Sequence, residues 1–531
     1  MTDPQAAPLS TDRAALLAAL SGGRTFDLAV IGGGATGLGA ALDAAARGFS
    51  VVLLEACDFA KGTSSRATKL AHGGVRYLAQ GNVSLVYEAL HERTTLLRNA
   101  PHLARPLAFV MPSYHLWETP FYGAGLKAYD VLAGRAGLGA TEFLSRMKAL
   151  QCLPGVRAEG LKGGVKYWDG QFDDARLALA LARTAARAGA LLLNYCPVRA
   201  FRHEGGKLKA LVCEDAETGR SYTVRARAVV NATGVWVDDV RAMDADSGGY
   251  AHEPLVVPSQ GVHLVVDREF LPGEHALLVP RTADGRVLFA VPWLGKVIIG
   301  TTDTERTHAE REPRALPEEA AFLLRESAKY LRRPPRAADV RSCWAGLRPL
   351  VRPQNFSGAK TGSVSREHTV LVESDGLVTV TGGKWTTYRA MAEDVLLKCA
   401  QEGLLDARPA GVTRDLALVG APAAPVNHRM CDAPGLHLYG SEAARVQALP
   451  GADRLLAPGL SEAMVRFAAR FEYARCVEDV LARRSRMLFL DARQAGALAH
   501  PVAAILGEEL GLDARADDFV ALAQIYAQVP A

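Results

Sequence analysis

Cysteine is scarce and scattered in this sequence. The 531 residues include only eight cysteines, and no two of them have the C-x-x-C spacing of a zinc or redox motif. We therefore predict no metal site, no disulfide framework and a reducing, cytoplasmic compartment. The cysteines are Cys57, Cys152, Cys196, Cys213, Cys343, Cys399, Cys431 and Cys476.

Long uncharged apolar runs are also lacking. Only a glycine-rich stretch near residue 32 approaches the length of a membrane-spanning helix, and a nucleotide-binding motif explains that stretch better. Any membrane association should therefore be peripheral. Residues 1–24 carry acidic residues before a short Ala/Leu run, so we expect a loosely held arm with one short helix rather than a secretory signal.

A strong charge bias is missing as well. Lysine and arginine total 61 against 57 acidic residues, a net charge of +4, which does not favour a nucleic-acid partner. This balance is compatible with an anionic substrate or a weak contact with a membrane surface. The hydrophobic content of 49% and charged content of 22% are ordinary for a soluble globular protein, and the length predicts two or three domains.

The sequence is organised around a stretch that reads FDLAVIGGGATGLGAALDAAARGFSVVLLE, residues 26–55. Its first six residues form an apolar run without helical period, which is typical of a buried parallel strand. Gly32, Gly34 and Gly37 follow with G-x-G-x-x-G spacing, and residues 38–47 suit a helix. A second apolar strand ends at an acidic residue, which completes the pattern of a dinucleotide-binding unit.

Each part of this pattern has a physical role. The glycines permit a tight turn, close approach of the backbone to a pyrophosphate, and packing of helix on strand. The N-terminus of the helix then offers amides and a positive dipole end to phosphates. Glu55 stands where a carboxylate can bind ribose hydroxyls, which disfavours NADP. The motif alone leaves FAD and NAD as alternatives.

A polar segment, residues 61–81, follows the ribose-binding acid. Its hydroxyl and basic groups can reach a second phosphate, so we interpret it as a cofactor and substrate loop. The alternative is a solvated loop that leads into the helix at 83–97. The polar and basic residues that matter here are Thr63, Ser64, Ser65, Arg66, Lys69, His72 and Arg76.

Three later segments also predict parts of a ligand-binding fold. A strand ends in Ala232-Thr233-Gly234, where small residues let a cofactor approach. Residues 255–303 alternate apolar and polar positions, which predicts an antiparallel sheet. A second strand–glycine–helix junction at Gly382-Gly383-Lys384 can aim a helix N-terminus at the same ligand, because the helix begins near Thr386.

Two segments have an open interpretation. Residues 116–134 combine aromatic residues with lysine, as membrane-interface helices do, but we expect this helix to pack on its own domain. The C-terminal region carries many arginines, which predict a solvated basic face, with an anionic-lipid contact as the alternative. These arginines are Arg466, Arg470, Arg475, Arg483, Arg484 and Arg486.

Several strings together resemble one family. GGGATGLGAALDAAARG and SSRATKLAHGGVRYL, followed by AVVNATGVWVDD, VPWLGKVIIGTTDT, WAGLRPLV and GGKWTTYRAMAEDV, are similar to the FAD-dependent, respiratory glycerol-3-phosphate dehydrogenases. The resemblance covers about residues 25–500. It implies an α/β fold: an FAD-binding Rossmann-like domain of the glutathione-reductase/D-amino-acid-oxidase type, an antiparallel-sheet substrate domain and a C-terminal helical domain.

The resemblance implies the following domain borders. The arm is 1–24, the FAD-binding domain is 25–100, 165–250 and 343–400, the substrate domain is 101–164 and 251–342, and the helical domain is 410–531. It also implies a set of residues that bind FAD. They are Gly32, Gly34, Ala35, Thr36, Gly37, Glu55, Thr63, Ser64, Ser65, Lys69, His72, Gly73, Val198, Ala232, Thr233, Gly234, Gly346, Gly383, Lys384 and Thr386.

For the substrate, the resemblance implies a phosphorylated secondary alcohol. Arginine suits its phosphate because of the planar guanidinium. His72 and His263 are the alternatives for the base, since imidazole titrates near neutral pH, and Arg348 is expected to stabilise an alkoxide. The predicted substrate-binding residues are Arg76, Tyr77, Arg348, Arg366 and Lys384.

The implied reaction is oxidation of glycerol 3-phosphate to dihydroxyacetone phosphate, with hydride transfer from C2 to flavin N5 and electrons passed to a membrane quinone. The implied location is the cytoplasm, in peripheral contact with the inner face of the membrane, and the choice between monomer and homodimer stays open. The alternatives are a glycerol-3-phosphate oxidase, an amine or amino-acid oxidase of the same fold, and a non-catalytic flavoprotein.

Overall fold

The computed structural model describes residues 9–74, 78, 82–248, 252–352 and 367–531. The strands are β1 Thr25–Ile31, β2 Val51–Leu54, β3 Leu70–Ala71, β4 Ala104–Ser113, β5 Glu142–Ser145, β6 Gly163–Phe172, β7 Leu191–Leu193, β8 Val198–Glu204, β9 Lys207–Glu214, β10 Ser221–Asn231, β11 Val256–Asp267, β12 Ala276–Val279, β13 Leu288–Trp293, β14 Lys296–Gly300, β15 Thr304–Glu305, β16 Ser342–Val351, β17 His368–Val372, β18 Leu377–Gly382, β19 Leu455–Ala457 and β20 Leu460–Ser461.

The helices alternate with the strands in the first half and dominate the C-terminal region. They are α1 Arg13–Leu20, α2 Ala35–Ala46, α3 Val83–Asn99, α4 Glu118–Ala133, α5 Arg146–Cys152, α6 Asp174–Arg187, α7 Val237–Gly248, α8 Pro317–Tyr330, α9 Tyr388–Gln401, α10 Ala443–Gln447, α11 Glu462–Phe471, a π-helix Asp479–Arg484, α12 Met487–Leu490, α13 Ala492–Ala497, α14 Ala499–Leu510 and α15 Ala516–Tyr526.

The first sheet carries the glycine motif. Its strand order is β17-β18-β10-β1-β2-β7, and β8 and β9 extend from β10. The pairs formed by β18, β10, β1, β2 and β7 are all parallel. The apolar runs of β1 and β2 are buried because helices cover the sheet. The prediction of a Rossmann-like α/β unit is therefore confirmed, and the glycines lie at the carboxyl end of a central strand.

The second sheet is mostly antiparallel. Its order is β15-β11-β14-β13-β12-β4-β6-β3, with β16 paired to β11 and β5 to β6. This confirms the predicted antiparallel sheet over residues 255–303. The borders predicted at residues 165 and 343 cut into this sheet, because β6 and β16 bond to β4 and β11 rather than to the parallel strands.

The C-terminal helices share a hydrophobic core with the parallel-sheet domain. This core joins Leu38 of α2 and Met391 of α9 to Phe467 and Leu506 of the C-terminal region, all at most 2% exposed. Because burial of apolar surface contributes about 25 cal/mol per Å², this shared core stabilises the packing of the C-terminal region on the parallel-sheet domain.

Helix α4 has two different faces. Leu126 and Tyr129 are only 2% exposed, so the helix packs inward as predicted. However, Leu116, Trp117 and Phe121 at its start are 57–79% exposed. Within the described residues, no helix combines the length and apolar character that a bilayer span requires.

Candidate functional site: a cofactor cavity

The glycine turn between β1 and α2 is fixed by close backbone contacts. Gly32 has φ +105°, and a Cβ there would lie 2.7 Å from the Ala232 carbonyl oxygen. A Cβ on Gly37 would lie 2.0 Å from the carbonyl oxygen of Gly32. Gly34 precedes the first residue of α2, and the Ala35 amide donates to Ser64 Oγ over 2.9 Å. These contacts place the N-terminus of α2 against the site, as the motif predicts.

Glu55 closes β2 and is tied to the same turn. Its carboxylate accepts hydrogen bonds from the Gly33 amide at 2.6 Å and from the Cys57 amide at 2.8 Å. Burial raises the pKa of Glu55, although both amides act in the opposite direction. The acid is therefore held rigidly at the edge of the cavity, where a ribose would be bound.

A cavity of about 480 Å³ runs along this edge of the parallel sheet. Many predicted cofactor residues line it, from both strand ends and both glycine junctions. They are Gly32, Gly34, Ala35, Thr36, Glu55, Thr63, Ser64, Val198, Ala232, Thr233, Gly234, Gly383 and Lys384.

The second glycine junction faces the first. Gly382 and Gly383 have φ +80° and +70°, a conformation that favours glycine. Lys384 then enters the cavity wall, and the next residue begins a short 3₁₀ helix that leads into α9. The Trp385 indole donates to the Ser64 carbonyl over 2.8 Å, which links the junction to the polar segment 61–81, here called the polar loop.

Other predicted cofactor residues lie behind the cavity wall. A Cβ on Gly346 would lie 2.8 Å from Arg66 Cβ, so this glycine lets the polar loop pack on β16. The Gly73 amide donates to Asp169, and Thr386 Oγ1 donates to the His72 carbonyl over 3.4 Å. The predicted residues that do not line the cavity are Gly37, Ser65, Lys69, His72, Gly73, Gly346 and Thr386.

Lys69 is buried and held by protein groups. Its ammonium donates to the Ser65 carbonyl and to Asp174, each over 2.7 Å, and lies 4.8 Å from the ring centre of Trp344. Burial lowers the pKa of Lys69 to about 7, and Arg486 acts in the same direction while Asp174 opposes it. Its position indicates that it organises the loop rather than faces the cavity.

The predicted catalytic residues on the second sheet lie on neighbouring strands. Arg348 donates to Thr301 Oγ1 over 3.2 Å and covers Gly261, where a Cβ would lie 2.3 Å from its guanidinium. His263 stacks on Trp344, with ring centres 4.1 Å apart.

The His263 ring is connected to the polar loop. Its Nε2 lies 2.9 Å from Thr68 Oγ1. Burial, together with the nearby cations Lys69 and Arg348, holds the pKa of His263 well below its usual range. The imidazole is therefore neutral at neutral pH. Three of the predicted substrate residues, Arg76, Tyr77 and Arg366, lie outside the described residues.

Sequence reasoning missed several residues of the cavity wall. Trp236 and Trp385 stand within the AVVNATGVWVDD and GGKWTTYRAMAEDV strings, two residues after Gly234 and Gly383, so their positions near these glycines are a usable signal. No local signal identifies the others, because only the fold brings them to the cavity. They are Arg199, Met243 and Arg311, whereas Lys61 lies in segment 61–81 and Asp239 in the AVVNATGVWVDD string.

The donor set fits FAD. A cavity of this size with a helix N-terminus and an acid placed to bind ribose suits the adenosine diphosphate part of the cofactor. The glycine junction at Lys384 lies at the carboxyl end of a different strand of the same sheet, which suits the isoalloxazine part. A cation and helix N-terminus there can stabilise negative charge on a reduced ring.

Family comparison agrees with this fit. Residues 27–389 match the family model described as FAD dependent oxidoreductase, and residues 412–517 match the C-terminal domain of alpha-glycerophosphate oxidase. The chain is 39% identical to a probable mitochondrial glycerol-3-phosphate dehydrogenase of Caenorhabditis elegans, over 96% of this chain and 73% of the relative.

Comparison with solved structures identifies the same fold and the same family. The glycerol-3-phosphate dehydrogenase of Bacillus halodurans, complexed with FAD, superposes with a TM-score of 0.77 at 30% identity, covering 97% of this chain and 98% of that one. The L-alpha-glycerophosphate oxidase of Mycoplasma pneumoniae, at 15% identity and a TM-score of 0.58 over 74% of this chain and 98% of that one, shares the fold alone. The chain therefore belongs to the glycerol-3-phosphate dehydrogenase family of FAD-dependent oxidoreductases, and its cofactor is FAD.

Proposed function

We propose that this enzyme oxidises sn-glycerol 3-phosphate to dihydroxyacetone phosphate and passes the electrons to a membrane quinone. When bound, FAD would supply the redox chemistry as the hydride acceptor. The observation that carries the proposal is the pairing of a cavity fitted to FAD with Lys384 in its wall and Arg348 on the adjoining sheet.

The cations account for a phosphorylated substrate. A charge-assisted hydrogen bond to phosphate contributes about 1.5–3 kcal/mol, so a few of them hold a dianion firmly. We assign Arg348 and Lys384 to this task, together with Arg76, Tyr77 and Arg366. Arg348 would also stabilise the alkoxide that forms when the C2 hydroxyl loses its proton.

His263 is the better supported base. Its imidazole is neutral, and its strand β11 pairs directly with the strand that carries Arg348. A base must accept a proton, and a bound phosphate dianion would offset the two cations that depress the pKa of His263. His72 stays as the alternative.

Electron transfer to a quinone requires contact with a membrane. The exposed side chains Leu116, Trp117 and Phe121 form an apolar patch, which we call the α4 patch. Aromatic residues suit the headgroup region of a bilayer. The exposed Lys127 on the same helix pairs with Asp130 at 4.0 Å, so the contact depends on the apolar side chains. We propose that the α4 patch rests on the inner face of the cytoplasmic membrane.

An anaerobic titration tests the proposed reaction. Adding glycerol 3-phosphate to the FAD-loaded protein should abolish the oxidised flavin band and release dihydroxyacetone phosphate. Arg348→Ala should raise the half-saturating substrate concentration roughly 10–150-fold, which corresponds to one charge-assisted bond. The matched control is Arg336→Ala, because that side chain is 79% exposed. Equal titrations of all three proteins would refute the assignment of Arg348.

Oxygen reactivity separates the alternatives. A dehydrogenase should transfer electrons to a soluble quinone analogue much faster than to oxygen, whereas an oxidase should release peroxide in air at the rate of turnover. An amine or amino-acid oxidase should be reduced by amino acids instead. A non-catalytic flavoprotein should keep its oxidised spectrum with all of these compounds.

A further inference from the structure

The polar loop that lines the cavity is anchored by the C-terminal region. We call residues 58–69 the cofactor loop, because Ala60, Lys61, Gly62, Thr63 and Ser64 within it line the cavity. The opposite side of this loop does not face solvent. It is bound by side chains from the π-helix, from Glu478 just before it and from Arg486 just after it.

The first anchor is a buried ion cluster. Asp58 accepts hydrogen bonds from Arg483 and Arg484, and all three side chains are at most 2% exposed. Lys61, a residue of the cavity wall, forms an ion pair with Glu478 at 2.7 Å. The start of the loop is therefore fixed to the π-helix.

The second anchor is Arg486, which is fully buried. Its guanidinium donates to the Ser65 carbonyl over 2.9 Å and to Asp174 over 3.0 Å. Asp174 in turn accepts from Lys69 and from the Ala67 amide. Asp174 and Arg486 thus hold the loop at three points: the Ser65 carbonyl, the Ala67 amide and the Lys69 side chain.

Two residues of this second anchor have an unusual backbone conformation. Lys69 and Arg486 both have φ +66°, a left-handed conformation that long side chains adopt infrequently. Such residues persist where the surrounding structure determines them, and they cluster at functional sites. Both residues direct their charged groups to the same two partners, the Ser65 carbonyl and Asp174.

The anchored residues are adjacent to groups that contact the site. Ser64 precedes Ser65, and it bonds both the first amide of α2 and the Trp385 indole. Thr68 precedes Lys69 and contacts His263. A displacement of the Ser65 carbonyl would therefore move the cavity wall and the His263 contact together.

We propose that Arg486 is a positioning residue that couples docking of the C-terminal region to FAD binding. The cofactor then binds a loop that is already ordered, so its affinity is not reduced by the entropy of ordering that loop. Coupling is reciprocal, and bound FAD should stabilise the docked C-terminal region by the same free energy.

Arg183 provides a matched control. It lies on α6 and forms a bidentate ion pair with Glu442 of the C-terminal region at 2.6 and 2.7 Å, with both side chains at most 8% exposed. Like Arg486 it links the C-terminal region to the rest of the protein, but it bonds no residue of the cofactor loop in the described structure.

The test compares Arg486→Met and Arg183→Met for FAD affinity, measured by flavin fluorescence quenching on the apoprotein. Arg486→Met should weaken FAD binding at least tenfold, while Arg183→Met stays within twofold of the parent despite a lower melting temperature. Arg486→Lys retains the charge but bonds at a single point, so it should fall between the parent and Arg486→Met. If Arg486→Met does not fold, the comparison of Arg486→Lys with the parent tests the proposal instead.

Hydrogen exchange tests the reciprocal effect. FAD should slow amide exchange over residues 478–490 in the parent and in Arg183→Met, and should have little effect there in the Arg486 variants. The proposal is overturned if Arg486→Lys and Arg486→Met bind FAD as the parent does, or if Arg183→Met weakens binding by the same factor. That last result would show a purely structural role for the whole interface.

Discussion

Gly37 lies so close to Gly32 that a Cβ on Gly37 would be 2.0 Å from the Gly32 carbonyl oxygen. The first turn of α2 therefore packs directly on the turn that precedes it. No side chain of any size fits between them, because the obstructing atom belongs to the backbone.

Gly37→Ala should therefore abolish FAD retention. Relief of the clash requires α2 to move away from the strand end, which removes its N-terminus from the pyrophosphate site. The ratio of flavin to protein absorbance after purification measures this loss. Gly125→Ala on α4 is the control, since a Cβ there has no atom within 4 Å, and it should keep the ratio of the parent.

The glycine motif and Glu55 could be predicted because their signal is local. Strand, turn, helix and acid follow one another within 30 residues, and each fixes the geometry of the next. The same applies to the Gly383 junction. The link from Trp385 to Ser64 spans 321 positions and that from Arg486 to Ser65 spans 421, so they depend on tertiary packing and not on any local pattern.

The prediction of a solvated basic face was wrong for three C-terminal arginines. Arg483, Arg484 and Arg486 are at most 2% exposed and bind aspartates of the parallel-sheet domain. Composition alone could not reveal this, because Asp58 and Asp174, which bind these arginines, lie more than 300 residues earlier in the chain. A buried charge needs such partners, and only the fold supplies them.

His263→Asn should slow flavin reduction by about 10²–10⁴-fold, the usual contribution of a general base. The half-saturating concentration of glycerol 3-phosphate should change little, since the phosphate ligands remain. Rapid-mixing absorbance under anaerobic conditions measures the rate. His72→Asn distinguishes the two candidates, and a large loss of rate in that variant with a parental rate in His263→Asn would reverse the assignment.

Replacing Trp117 and Phe121 by serine should weaken vesicle binding. Burial of each large apolar side chain contributes about 1.5–3 kcal/mol. The fraction of the double variant that sediments with phosphatidylglycerol vesicles should therefore be at least tenfold lower than that of the parent. Tyr87→Ser on α3 removes an aromatic residue of similar exposure, 54%, outside the α4 patch. Equal sedimentation of the double variant and the parent would exclude the α4 patch as the contact.

Glu478 should make the interface of the C-terminal region sensitive to acid. Burial alone would raise the pKa of Glu478, but Arg483 and Lys61 outweigh it and lower the pKa to about 2. The unfolded carboxyl has a pKa near 4.5, so the ion pairs stabilise the fold above that pH. This stability is lost as the pH falls towards 2, by up to about 3 kcal/mol.

Glu478→Gln isolates this effect. The difference in free energy of unfolding between the parent and the variant should be largest near neutral pH and should shrink below about pH 4.5. Denaturant unfolding at a series of pH values measures it. A difference that stays constant across this range would show that the Glu478 carboxyl is not held ionised by Arg483 and Lys61.

The central claim is that an FAD site in this fold recognises the phosphate of a three-carbon alcohol. Its most direct test is an anaerobic absorbance titration of the FAD-loaded protein with glycerol 3-phosphate, glycerol and an amino acid in parallel. The account predicts that only glycerol 3-phosphate reduces the flavin at millimolar concentration or below. Reduction by glycerol at the same concentrations, or by the amino acid alone, would contradict it.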